Sequence, residues 1–339
     1  MADGALRALL ADQPAPDDAA VAAVHARASE IMRPPGALAW LDDIAAWVAG
    51  WQRTARPRVQ RPAALVFAAD HGIAAAESVS AVAPKVTAAM FAAVERGRGT
   101  INAFARIVGA SVHAVDVGIA HPTADIRTDA ALTPERFDAV TATAIAAVDA
   151  LDTDLLVLGE IGVGNTTAAA AIAAALAGGE AAAWVGRGTG VDDAGLARKR
   201  RAVQEAVRRI VGVTDPLEVL RELGGAELVA VAAAVAAARQ RSLPVVLDGY
   251  VVSAAVLPLV LVAPEALAHC IVGHCSTEPG HRRLLERLGQ RPLLDLDMRL
   301  GEGSGAMAAV PLVAMACAGV SDVPTYAEWF GAEDADDTR

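Results

Sequence analysis

Residues 153–177 read TDLLVLGEIGVGNTTAAAAIAAALA. Leu155, Leu156, Val157 and Leu158 form a short apolar run without polar alternation, the pattern of a strand buried on both faces of a parallel sheet. A glycine-rich turn follows, from Gly159 through Glu160, Ile161, Gly162 and Val163 to Gly164. Asn165, Thr166 and Thr167 then offer side-chain oxygens where a helix begins, and the alanine-rich segment beyond has strong helix propensity. Strand, glycine turn and helix N-terminus together make an anion site, because glycines let backbone N–H groups approach and the helix dipole favours negative charge. Taken alone, the stretch fits phosphate binding and a plain chain reversal equally. It is neither a P-loop, since no Gly-Lys-Ser/Thr follows, nor a G-x-G-x-x-G dinucleotide turn.

The same alternation extends over much of the chain. Six short apolar runs, at residues 64–69, 112–117, 155–158, 182–185, 244–247 and 270–273, are mostly separated by helical stretches. This predicts an α/β fold with a six-stranded parallel, Rossmann-like sheet and flanking helices. Ligands of such sheets gather at the carboxyl ends of the strands. Polar residues collect at those ends here: Asp70 and His71, Asp116, Glu160, the 186–188 Gly-Arg-Gly, Asp248, and His274 with Ser276. Asp70 and His71 read as a hydrogen-bonded structural pair.

Ahead of the sheet, residues 17–48 read as helical, broken by the prolines and glycine of RPPGAL at 33–38. Trp40, Trp47 and Trp51 follow at roughly helical spacing, a packing stripe, and Pro57 and Pro62 mark a linker. The apolar run 251–263 contains Pro258, is too short to span a bilayer and reads as a buried helix. A helix over 278–288, the stretch DMRLGEGSGA at 297–306 and an apolar helix to about residue 318 complete the chain. The acidic tail GAEDADDTR is expected to be disordered.

With 54% hydrophobic but only 4% aromatic residues, the core must be built from Ala, Val and Leu. A net charge of −11 argues against nucleic acid or an anionic membrane as partner. Cys270, Cys275 and Cys317 cannot all pair and form no CxxC, and the N-terminus lacks a basic start followed by an apolar segment; a reduced, cytoplasmic setting is expected. Scarcity points to particular residues. Lysine occurs only at 85 and 199 among 29 basic residues, and asparagine only at 102 and 165. Such survivors are candidates for sites where a compact ammonium or an amide is needed.

Five blocks, LGEIGVGNTTAAAA at 158–171, VGRGTGVDDAGLARK at 185–199, VVLDGYVVSAA at 245–255, GHCSTEPGHR at 273–282 and RLGEGSGA at 299–306, resemble the nicotinate-nucleotide:dimethylbenzimidazole phosphoribosyltransferases. RPPGAL, ADHGI at 69–73 and VDVGIA at 115–120 are similar to earlier blocks of that family, so the resemblance runs over nearly the whole chain in order. It implies transfer of the phosphoribosyl group of nicotinate mononucleotide to 5,6-dimethylbenzimidazole, with inversion at the anomeric carbon, releasing nicotinate and giving α-ribazole 5′-phosphate for the cobalamin nucleotide loop. It also implies no metal or other cofactor, a homodimer, and a small helical domain built from both chain ends. The corresponding division is 1–60 for the helical N-terminal part, 61–305 for the α/β domain, and 306–339 for the C-terminal helix and tail.

By this resemblance Glu302 is the general base. The pyridinium of nicotinate mononucleotide leaves as a neutral ring and needs no acid, whereas the attacking benzimidazole carries a proton on its second nitrogen that a carboxylate must accept. Glu160 is a second carboxylate that orients substrate, relays the proton or is purely structural. Lys199 fits the phosphate-binding lysine, with Gly162, Gly164, Asn165, Thr166, Gly186, Gly188 and Ser276 as companions. Ser80, Met90 and Leu300 are assigned to the base pocket. The segment SAVAPKVT at 80–87 departs from the family's usual pattern, and Cys275 stands where an Arg or a large ring is common. Two other classes compete. A nicotinamide-dependent oxidoreductase requires G-x-G-x-x-G after the first strand, where this chain has AADHGI; a non-catalytic nucleotide-binding module has no need of Glu302.

Overall fold

The computed structural model describes residues 4–331; the acidic tail beyond Gly331 lies outside the described residues. Six parallel strands form one sheet: β1 (Pro62–Ala69), β2 (Ser111–Gly118), β3 (Leu155–Ile161), β4 (Val245–Leu247), β5 (Cys270–His274) and β6 (Pro292–Leu294), in the spatial order β2-β1-β3-β4-β5-β6. The order reverses between β1 and β3, whose register pairs Phe67 with Glu160. The carboxyl ends of β3, β4 and β5 lie side by side beyond that point.

Both faces of the sheet are covered, which is why its central strands show no polar alternation. Leu65 and Phe67 of β1, Leu156 and Leu158 of β3 and Val245 and Leu247 of β4 point into one core, with the helices Asn165–Ala177, Ala226–Gln240 and Tyr250–Val262. Ala64, Val66, Leu155, Val157 and Val246 point into the other, with the helices Asp18–Glu30, Trp40–Gln52, Thr100–Val108 and Ser304–Ser321. With few aromatics available, alanine does the filling, and residues 226–239 of the Ala226–Gln240 helix are buried without interruption. Small side chains bring helix axes close enough to pack without rings.

The chain ends meet. Arg27 donates to the carbonyls of Val320 and Val323 and pairs with Glu328, and Ile31 forms an antiparallel bridge with Thr325. Trp47 and Trp51 both donate to the carbonyl of Ala268 while packing, as the stripe suggested. The Ser304–Ser321 helix is long and apolar enough to cross a membrane, yet it serves as a core element, with Met307, Val310, Val313 and Val320 wholly buried.

Three local readings are corrected. Residues 181–183 form a 3₁₀ turn, not a strand. The sixth strand is Pro292–Leu294, an edge strand only half-buried, so its sequence is interrupted by charge directly afterwards. Pro62 begins β1 and is no part of a linker; a proline is tolerated there as the first residue of a strand.

Candidate active site

Asn165, Thr166 and Thr167 do not cap the helix they begin. The N-cap is Gly164, in the left-handed region at φ 99°, and among the described residues no side chain caps that end. Each of the three polar side chains is directed elsewhere. Asn165 Nδ2 donates to Glu160 Oε2, Thr166 Oγ1 accepts from Lys199 Nζ at 2.8 Å, and Thr167 is fully buried.

Lys199 is only 1% exposed, although it lies in the helix Asp193–Arg209, whose other basic residues include the solvent-facing Arg200 and Arg201. Burial lowers its pKa to about 8 against the opposing charge of Glu278, so at neutral pH it is still an ammonium. Gly188, at φ 53°, closes over this ammonium: a Cβ there would stand 3.0 Å from both Lys199 Nζ and Thr166 Oγ1. Gly188 N donates to Glu278 Oε1 at 2.8 Å, and its carbonyl accepts from Arg299 Nη1 at 3.0 Å. Gly186 packs on the same glutamate, where a Cβ would meet Glu278 Oε2 at 2.2 Å.

At the other end of the cleft three carboxylates converge. Glu302 is mostly buried and sits in a turn in which Gly301, Glu302 and Gly303 all have positive φ, at 82°, 63° and 79°. A left-handed conformation costs a non-glycine residue roughly 1–2 kcal/mol. Backbone contacts hold it: Glu302 N donates to the Glu160 carbonyl at 3.1 Å, and Gly159 lies so close that a Cβ would stand 2.3 Å from Gly303 N. Burial, then the charge of Asp248, raises the pKa of Glu302. Glu160 is raised well above the usual carboxylate range by burial and by the charges of Glu227 and Asp248, against the hydrogen bond from Asn165.

Between the two ends runs a cleft of about 120 Å³ whose lining includes Val82, Met90, Gly162, Thr189, Tyr250 and Leu300. Glu302, Glu160, Asn165, Thr166, Gly188 and Ser276 also line it. Lys199, Gly164, Gly186 and Ser80 stand behind that surface rather than on it. Lys199 lies under Thr166 and Gly188, and Ser80 Oγ is 3.0 Å from the Oγ1 of lining residue Thr189. Ser276 N donates to His281 Nδ1 at 2.8 Å, and His281 Nε2 lies 3.0 Å from Ser253 Oγ. Burial, then the neighbouring His274, lowers the His281 pKa to about 3, so the ring is neutral and donates to Ser253.

Asp248, His274, Glu278, Thr189 and Arg299 were not among the site residues expected from sequence, although Asp248 and His274 stand at strand ends where ligands gather. Asp70 and His71 are structural, but not as a pair. Asp70 accepts from Ala120 N, and fully buried His71 pairs through Nε2 with Glu227 under the glycine turn. Of the scarce residues, Lys85 is exposed and Asn102 accepts from Gly99 N in a local cap. The three cysteines are free and buried, their thiols pushed up by burial.

Residues 13–329 match the family model described as phosphoribosyltransferase. The chain is 48% identical over 324 residues to the nicotinate-nucleotide–dimethylbenzimidazole phosphoribosyltransferase of Ruegeria pomeroyi, covering 95% of both chains. The chain belongs to the nicotinate-nucleotide–dimethylbenzimidazole phosphoribosyltransferase family. The family's protein of the same name from Mesorhizobium japonicum is 46% identical, with 95% of this chain and 96% of that one covered. The crystal structure of CobT from Thermus thermophilus superposes with a TM-score of 0.86 at 40% identity, covering 91% of this chain and 98% of its own. The six-stranded parallel α/β fold is therefore the fold of this family.

Proposed function

We propose that this protein transfers the 5-phosphoribosyl group of nicotinate mononucleotide to 5,6-dimethylbenzimidazole, giving α-ribazole 5′-phosphate and nicotinate. The observation that carries this reading is one cleft with a buried ammonium just beneath its wall at one end and a buried carboxylate of raised proton affinity at the other. The phosphate of the nucleotide sits against Thr166 and Gly188 and is neutralised by Lys199, with the open N-terminus of the Asn165–Ala177 helix and Ser276 beside it. The benzimidazole lies between Met90, Val82 and Leu300, with its far ring N–H directed at Glu302; Ser80 supports that wall through Thr189.

In the reaction the lone pair of one benzimidazole nitrogen forms the new bond to the anomeric carbon from the face opposite the pyridinium. The old glycosidic bond breaks with its electron pair going to the pyridinium nitrogen, which leaves neutral. Positive charge appears on the benzimidazole, and its remaining N–H proton passes to Glu302. A carboxylate of raised pKa is the better acceptor, since its proton affinity is nearer that of the group it serves. Glu160, its proton affinity raised by burial and its side chain held by Asn165, anchors Glu302 through its backbone carbonyl.

A homodimer fits one further feature. The helix Val86–Glu95 is apolar along nearly its whole length, yet only Thr87 and Val94 are buried, and Met90 of the cleft belongs to it. A second copy seated there would cover the apolar surface and close the base pocket. The grouping of residues 1–60 with 306–339 is supported by the contacts of Arg27 and Ile31, and small soluble substrates suit a cytoplasmic location. The decisive assay supplies nicotinate mononucleotide with and without dimethylbenzimidazole. Nicotinate should be released only with the base present, together with α-ribazole 5′-phosphate; tight nucleotide binding without release would leave a non-catalytic binding module.

A further inference from the structure

Asp248 ends β4 and is wholly buried, and both of its oxygens are engaged by a segment 55 residues or more away. Oδ2 accepts from Gly303 N at 3.1 Å and Oδ1 from Ala306 N at 2.8 Å. These are N-terminal N–H groups of the Ser304–Ser321 helix, which has no cap of its own. On its other side Asp248 Oδ1 lies 3.3 Å from His274 Nε2, and the His274 ring is locked in place by Gly305, where a Cβ would stand 1.9 Å from it. Three adjacent strand ends, carrying Glu160, Asp248 and His274, thus converge on the 301–306 turn.

We propose that Asp248 is the positioning residue of this turn, fixing the Glu302 carboxyl against the strain of its own left-handed backbone between two glycines. The proposal rests on the reading of Glu302 as the base. Asp248 bonds to both sides of the helix start, whereas Glu302 itself is tied only by its backbone N–H to Glu160, and its Oε2 is buried with no protein partner among the described residues. Without Asp248 the turn keeps only the bond from Glu302 N to the Glu160 carbonyl, the bond from Ser304 N to the Gly301 carbonyl and the close approach of Gly159, and it can relax toward ordinary φ, carrying Glu302 off the substrate. The charge of Asp248 matters as well. The ionisable groups facing it are Glu302 and Glu160, whose proton affinities it raises, and His274 with His281 behind. Burial lowers the His274 pKa, but the hydrogen bond and charge of Asp248 outweigh that and raise it. A protonated His274 offsets part of the aspartate's charge at Glu302.

Two variants of the whole protein therefore move the acid limb of the kcat profile in opposite directions. Asp248→Asn removes the charge and can satisfy only one of the two N–H groups. Turnover should fall roughly tenfold to a hundredfold, the scale of a lost charged hydrogen bond, with KM for nicotinate mononucleotide little changed and the acid limb at lower pH. His274→Asn keeps the cap but removes the offsetting cation, so the limb should move to higher pH. A folded Asp248→Asn variant with parental turnover and limb overturns the proposal, as do shifts of both variants in the same direction. If Asp248→Asn does not fold, His274→Asn decides, and an unmoved limb overturns the proposal. Glu302→Gln separates the two levels: retained turnover there removes the base reading itself, whereas an inactive Glu302→Gln beside an unmoved Asp248→Asn limb removes only the role of Asp248.

Discussion

Two helices start at this cleft, and they start alike. The Asn165–Ala177 and Ser304–Ser321 helices both have a left-handed glycine as N-cap, at φ 99° and 79°, and neither is capped by a side chain of its own segment. Each therefore turns the positive end of its dipole to the site without a local side-chain cap. They differ in what answers that charge. At the second helix the protein supplies an anion, Asp248, and the end is closed. At the first it supplies a cation, Lys199, hydrogen-bonded to Thr166 and balanced only in part by the nearby charge of Glu278, which deepens the attraction for an anion. In the proposed reading the open end takes the substrate phosphate and the closed end holds the base.

The largest test of that division is at the closed end. Glu302→Gln keeps the size of the side chain but cannot take a proton, and turnover should fall by roughly 10²–10⁴, the range of positioned acid–base groups. Dissociation constants for both substrates should change little, because the amide oxygen still accepts from the ring N–H. The loss should shrink for an N-alkylated benzimidazole that has no proton to give. Near-normal turnover on dimethylbenzimidazole would make the closed end structural only.

The open end was legible in the sequence, and the closed end only in part. A glycine turn between an apolar run and an alanine-rich helix is a local pattern, and the lone internal lysine stood out by its rarity. Glu302 was visible as a carboxylate between glycines, with its role supplied by family resemblance. Asp248 as its cap was not, because a cap from another strand leaves no local trace; only its place after an apolar run marked it. The same limit explains the misread strand. Residues 182–185 are as apolar as β4, but Trp184 is buried by helix packing, whereas the real edge strand at Pro292–Leu294 is covered only partly and tolerates Asp295 next to it. Burial alone does not separate a strand from a turn under a helix.

At the open end Lys199→Ala should weaken nicotinate mononucleotide binding roughly tenfold to a hundredfold, from about 1.5–3 kcal/mol for a charge-assisted hydrogen bond, and leave dimethylbenzimidazole binding unchanged. Equal losses for both ligands would indicate damage to the fold instead. The pH dependence carries a sign. The Lys199 pKa is depressed to about 8, so the ammonium proposed to bind phosphate is present below that value and lost above it. Titration calorimetry of the parent should show nucleotide affinity flat up to about pH 8 and falling beyond, while Lys199→Arg, weaker throughout because of its fork geometry, stays flat there. A parent that binds equally well far above pH 8 would detach the lysine from the phosphate.

The smallest effect asked of the comparison belongs to Thr166, which links the open helix end to the cation. Thr166→Val keeps the branched shape but removes the oxygen 2.8 Å from Lys199 Nζ. The ammonium then loses a partner that favours its charged form, so its pKa should fall further and the inflection in nucleotide binding should move below about pH 8. Affinity at neutral pH should drop only roughly two- to tenfold, the scale of a neutral hydrogen bond at about 0.5–1.5 kcal/mol, because Lys199 still reaches the phosphate. An unchanged inflection would mean that Thr166 does not tune the lysine. A loss as large as that of Lys199→Ala would instead make the hydroxyl itself the principal phosphate ligand, and the open end would then be defined by its helix rather than by its buried charge.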